Sequence, residues 1–139
     1  MKMGEVRAKA KLINAVDEAL VRRGKLPPDQ MHVYETKALI DTGAVRSVIP
    51  IHVAQQLGLS MRGERVAEYA DGRKEAVSVT EPIIIELEGR DTLEEALVLG
   101  DEVIIGQTVL EKLDLFVDCI NQRLLPNPAH PDQPVSKVK

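Results

Sequence analysis

The chain has 139 residues, one domain's worth, with 44% hydrophobic residues and a net charge of -4. Two Tyr, one Phe and no Trp leave few platforms for stacking bases, and the negative charge opposes phosphate binding, so no nucleic-acid partner is expected. Cys119 is the single cysteine. It permits no intramolecular disulfide and no cysteine-based zinc site, and it reads as an inert buried thiol.

In chain order, residues 5–13 alternate, with Val6, Ala8, Ala10 and Leu12 on one face and Arg7, Lys9 and Lys11 on the other. That is a strand with one wet side. Asn14 offers an N-cap, with Asp17 and Glu18 in the first turn, Arg22 and Arg23 at the other end and Gly24 beyond. A short helix at 15–23 is therefore predicted inside an insertion of about 14–30, closed by Pro27-Pro28. Residues 31–40 read as a strand ending in the apolar Ala38-Leu39-Ile40, followed by a sharp turn at Asp41-Thr42-Gly43. Val45–Ile49 reads as a strand, and Pro50 opens a short helix that Gly58 stops.

Residues 64–70 and 73–80 flank Asp71-Gly72, a hairpin signal. Pro82 marks an edge or bulge. Ile83–Leu87 and Ala96–Leu99 are two strands linked by a polar turn at Glu88-Gly89-Arg90. Val103–Gly106 is a buried strand, and Thr108–Leu113 is a helix with Val109, Leu110 and Leu113 on one side. Leu115–Ile120 and Arg123–Leu125 flank an Asn121-Gln122 turn. Pro126, Pro128, Pro131 and Pro134 keep the tail irregular. The whole is predicted to be all-β with two or three short helices: a domain over 1–127 and a Pro-rich tail over 128–139.

Three features come in order: Asp41-Thr42-Gly43-Ala44 after a buried strand, a hairpin, then Ile104-Ile105-Gly106 leading into a helix. On these residues, from about Glu35 to Ile120, the chain resembles the retropepsin-like family of homodimeric aspartic proteases, its bacterial branch above all. The resemblance implies a small closed acid-protease barrel whose hairpin is a flap. It also implies an aspartic endopeptidase working as a homodimer on peptide or protein substrates, without cofactor or metal. Two carboxyls about 3 Å apart share a proton, one activating water while the other polarises the scissile carbonyl. One Asp-Thr-Gly per chain supplies half of that pair, so the other Asp41 comes from a second copy.

The catalytic set is then Asp41, Thr42 and Gly43, and the substrate-binding set is Leu39, Ala44, Arg46, Tyr69, Ala70, Asp71, Gly72, Val103 and Ile105. Viral members carry an Arg after Ile-Ile-Gly and an acidic residue after Asp-Thr-Gly-Ala, which pair. Gln107 and Val45 stand there instead, so both partners are absent together. Arg46, pointing inward, would favour acidic substrates. The hairpin tip is more polar than the glycine-rich viral flaps. These departures support an alternative, a weakly active or inactive dimer of the same fold that binds peptides or proteins.

Other polar residues are read without a site role. His32, His52 and His130 lack ligand spacing. Asp114 and Asp118 are taken as solvent-facing or turn residues, and Glu94-Glu95 and Asp101-Glu102 as solvated loop charges. The polar start Met1-Lys2-Met3-Gly4-Glu5 has no apolar stretch, and no apolar run reaches the ~20 residues that cross a bilayer. A cytoplasmic location without a membrane partner is the expectation.

Overall fold

The computed structural model describes residues 5–138, and the polar start at 1–4 lies outside the described residues. The strands are β1 (Val6–Asn14), β2 (Val33–Ile40), β3 (Val48–Ile49), β4 (Met61–Glu68), β5 (Lys74–Thr80), β6 (Ile83–Leu87), β7 (Arg90–Glu94), β8 (Leu97–Val98), β9 (Ile104–Ile105), β10 (Leu115–Asp118) and β11 (Arg123–Pro126). The helices are α1 (Ala15–Arg22), α2 (Ile51–Gln56) and α3 (Gln107–Leu113). Nine strands form one sheet in the order β4-β5-β8-β3-β9-β2-β1-β6-β7, and β10 and β11 form a hairpin of their own. The fold is mostly β with a few short helices, as the sequence predicts. Among the described residues the strand order begins at β4 and ends at β7, so the sheet curls without closing into the closed barrel expected.

β1 and β2 form the longest antiparallel pairing, from Val6 opposite Ile40 to Ile13 opposite Val33. The alternation predicted for β1 is observed: Val6, Ala10 and Leu12 are buried while Arg7 and Lys9 are exposed. β6 pairs on the other side of β1 and buries Ile83, Ile85 and Leu87. With Ile49, Val53, Leu57, Ile105, Leu110 and Leu113 they make one continuous core. Each such side chain contributes roughly 1.5–3 kcal/mol by leaving water.

α1 forms where predicted. The Asn14 side-chain oxygen accepts from the Asp17 N–H at 3.0 Å, and Gly24 takes φ +72° just past the C-terminus. Asn14 is also buried, and its Nδ2 donates to the Leu57 carbonyl at 2.8 Å. One side chain thus starts α1 and ties it to the end of α2. α3 buries Val109, Leu110 and Leu113, the three residues predicted for its inner side.

Several expectations need correction. The strand predicted at Val45–Ile49 shrinks to Val48–Ile49, because the main chain at Ala44 and Val45 bonds to the start of α3. The polar turn at Glu88-Gly89-Arg90 is a tighter corner into a strand, β7, that the sequence reading lacked. β7 inverts the usual pattern: Arg90 and Glu94 are buried while Leu93 is exposed, so no apolar alternation announces it. Buried Arg90 donates to the carbonyls of Leu113, Asp114 and His130.

Glu94 is therefore not a solvated loop charge. Asp114, read as solvent-facing or in a turn, is a turn residue whose carboxylate is bonded. It sits at φ +56° after α3 and accepts from Asn127 Nδ2, at 3.0 Å, and the Val135 N–H, at 3.2 Å, with His130 Nδ1 at 2.6 Å. Cys119 is exposed rather than buried, because it lies in the turn between β10 and β11. Pro82 precedes β6, which is an interior strand and not an edge.

Candidate active site

Asp41 is placed by two short parallel pairings. Leu39 lies beside Ile104 and Ile40 beside Ile105. The Leu39 N–H donates to the Val103 carbonyl and the Asp41 N–H to the Ile105 carbonyl, both at 3.0 Å. The predicted apolar approach and the Ile104-Ile105-Gly106 step are thus one hydrogen-bonded unit. Beyond it the chain turns back: the Ala44 N–H donates to the Asp41 carbonyl at 3.1 Å, and the Gly43 N–H to Asp41 Oδ1 at 2.9 Å. A Cβ on Gly43 would lie 3.2 Å from that oxygen, so glycine keeps the turn tight against the carboxylate. Asp41 is half-buried, and Thr42 and Gly43 are exposed.

The loop after the turn is fastened to the start of α3. The Gln107 N–H donates to the Ala44 carbonyl at 2.7 Å and the Thr108 N–H to the Val45 carbonyl at 3.2 Å. Buried Ser47 accepts the Gly106 N–H on its Oγ at 3.1 Å. A Cβ on Gly106 would meet the backbone of Val45 and Arg46 at 2.8 Å. Ser47, Thr108, Glu94 and Arg90 are the structural residues of this region that the sequence reading missed. Their partners are distant in the chain, and no local periodicity marks them.

The hairpin of β4 and β5 pairs from Met61–Thr80 to Glu68–Lys74, with a bulge between Met61 and Gly63. Only Ser78 and Val79 of β5 pair onward, with β8, so the outer part of the hairpin is held by its own two strands. At the tip the Tyr69 N–H donates to the Arg73 carbonyl, the Gly72 N–H to the Tyr69 carbonyl, and Gly72 takes φ +87°. The Tyr69 hydroxyl donates to Glu75 Oε2 at 2.8 Å, which holds its phenol above the ordinary value. Arg73 stacks over the Tyr69 ring at 4.7 Å from its centroid.

The remaining predicted site residues fall in four groups. Leu39 and Ala44 are half-buried beside the Asp41 turn, and Ala70, Asp71 and Gly72 are exposed at the hairpin tip. Arg46 is half-buried and donates from Nη2 to the Glu95 carbonyl at 3.1 Å. It shares a cavity with Pro82, Leu93, Glu95 and Lys112. Val103 and Ile105 are core residues, at 4% and 0% exposure, whereas the intervening Ile104 is partly exposed. Val103, just before β9, and Ile105 within it face the core, and Ile104 between them is turned outward.

A groove of about 690 Å³ between α1, β6 and β7 is lined by Val16, Leu20, Ile84 and Leu93, and Asp41 takes no part in it. Among the described residues no helix is long and apolar enough to cross a membrane.

An Asp-Thr-Gly turn delivered by a core strand, clamped by a Gly-bearing step and accompanied by a hairpin, defines a retropepsin-like lobe. The chain belongs to the gag-polyprotein aspartyl protease family: the profile described as gag-polyprotein putative aspartyl protease matches residues 30–112, from before β2 into α3. Among solved structures it is similar to the solution structure of simian foamy virus (mac) protease. That similarity has 14% identity and a TM-score of 0.47, over 75% of this chain and 90% of that one. No curated protein matches the chain.

Proposed function

We propose that this chain is an aspartic endopeptidase that acts as a homodimer, with Asp41 of each copy forming the catalytic pair. Within the family, the bacterial branch is the reading we favour. The observation that carries the proposal is Asp41 itself, half-buried at the end of a core strand and hydrogen-bonded to Gly43, with exposed Thr42 and Gly43 beside it. A lone carboxylate cannot both activate water and polarise a carbonyl. Two carboxyls sharing one proton can do both.

The two-fold axis would run past the Asp41 turns, with Thr42 bonding across it. Leu39, Ala44 and Ile104 would floor the cleft. The β4–β5 hairpin, with Tyr69, Ala70, Asp71 and Gly72 at its tip, would close over an extended peptide through main-chain hydrogen bonds.

The decisive measurement is cleavage of a diverse peptide library by wild type and Asp41→Asn from acid to neutral pH. Activity is expected in the wild type and lost in the variant by at least about a thousandfold, as befits removal of a group acting in the transition state. Equal cleavage by both proteins would overturn the proposal. A second reading, a peptide-binding dimer without turnover, draws on the Tyr69–Glu75 bond and the Arg73 stack, which commit the flap tip to itself. It predicts peptide capture that survives Asp41→Asn, with no cleavage by either protein.

A further inference from the structure

We infer that Glu94 is a positioning residue for the Asp41 loop, acting through Thr108 of α3. The inference rests on the protease reading for its kinetic part alone.

Glu94 ends β7, an edge strand, and its side chain is only 6% exposed. A carboxylate so buried needs donors. It has two, both from α3. The Thr108 hydroxyl lies 2.8 Å from Oε2, and Lys112 Nζ lies 3.3 Å from Oε1 while also donating to the Leu93 carbonyl at 2.8 Å.

Thr108 also touches the loop that follows Asp41. Its N–H donates to the Val45 carbonyl at 3.2 Å, and its hydroxyl oxygen lies 2.9 Å from the same carbonyl. A hydroxyl has one proton. The Val45 carbonyl could accept it beside the N–H, but the carboxylate is the stronger acceptor, so the hydroxyl proton goes to Glu94 and the Thr108 N–H alone bonds Val45. Glu94 therefore fixes the Thr108 side chain at the point where the Thr108 N–H bonds the Val45 carbonyl. The next residue repeats the connection, since the Glu95 carbonyl accepts from Arg46. Glu95 also reaches the flap base through its ion pair with Arg62 at 2.9 Å.

Two consecutive residues thus brace the Asp41 loop from behind. Gln107 and Val45 carry no charge to pair, and Thr108 with Glu94 links the loop to the helix start.

The test uses Glu94→Gln and Thr108→Val, both close in shape to the wild type. Leu124→Ala, a core truncation in β11, is the control for lost stability alone. Hydrogen exchange at the amides of 43–47 and 107–108 is expected to quicken by about fivefold or more in both Glu94 and Thr108 variants, and the double variant is expected to add little to either. In the control, matched in Tm by temperature, exchange at these amides should stay within about twofold of wild type.

If the protein cleaves peptides, kcat should fall by about tenfold with KM nearly unchanged, since the brace orients the carboxylate and not the substrate. Unchanged exchange in Glu94→Gln and Thr108→Val, or the same change in Leu124→Ala, would sink the inference. The exchange measurement decides it even if the wild type proves to have no peptidase activity.

Discussion

At Gly106 the start of α3 meets the loop that follows Asp41, backbone against backbone. A Cβ there would lie 2.8 Å from the carbonyl carbon and oxygen of Arg46 and the oxygen of Val45, atoms with no rotamer to escape into. The backbone at Gly106 has φ -91°, which any residue adopts, so the constraint is contact and not conformation. Gly106→Ala is expected to lower the unfolding free energy by about 1–3 kcal/mol in urea denaturation, with loss of any peptidase activity. An unchanged midpoint would show that the loop moves aside freely. A second residue-scale prediction concerns acid. The Asn127 amide, then His130 and the Val135 N–H, hold the Asp114 carboxyl below its usual range, and Asn121 does the same for Asp118. A depressed native pKa stabilises the fold above the unfolded value and is lost as pH falls through the native one. The denaturation midpoint should therefore fall below about pH 4, and Asp114→Asn should flatten part of that fall. A pH dependence identical in wild type and variant would remove Asp114 from the account. This bears on any peptidase assay in acid, because Asp114 ties the tail segment 127–135 to the end of α3.

At the scale of elements, α1 was legible because its signals are local. Asn14 caps it, the acidic residues sit in its first turn and Gly24 ends it. The tertiary use of Asn14 was not legible, since its Nδ2 partner is Leu57, far along the chain. Asn14→Ala removes the cap and leaves a buried carbonyl without its donor, so a loss of about 2–3 kcal/mol is expected in chemical denaturation. Asn14→Ser keeps a capping acceptor and loses the donor to Leu57, and it should fall between wild type and Asn14→Ala. The hairpin was legible from Asp71-Gly72, and α3 from the spacing of Val109, Leu110 and Leu113. β7 was hidden, because its buried positions are Arg90 and Glu94 and its exposed one is Leu93. Such a strand is recognised only once the carbonyls around Arg90 and the donors around Glu94 are in place.

At the scale of the molecule, the proposed site is half of a pair, so activity should depend on concentration. In dilution series the specific activity is expected to fall as the dimer dissociates, in step with the weight-average mass from sedimentation. Constant specific activity in a protein shown to be monomeric would exclude a shared Asp41 pair. The sequence by itself determined the elements whose signals are short in range: the alternation of β1, the caps of α1, the hairpin turn and the inner side of α3. It also determined the Asp-Thr-Gly turn and the Ile-Ile-Gly step, because both need particular residues at adjacent positions. Only the tertiary structure decided that these two join through the Leu39–Val103 and Asp41–Ile105 hydrogen bonds, and that Val103 and Ile105 face the core. It alone revealed Ser47, Thr108 and Glu94 as the fastening of the Asp41 loop. The reason is physical: a cap or a turn is satisfied within a few residues, whereas a buried charge is tolerated only where distant segments bring its donors.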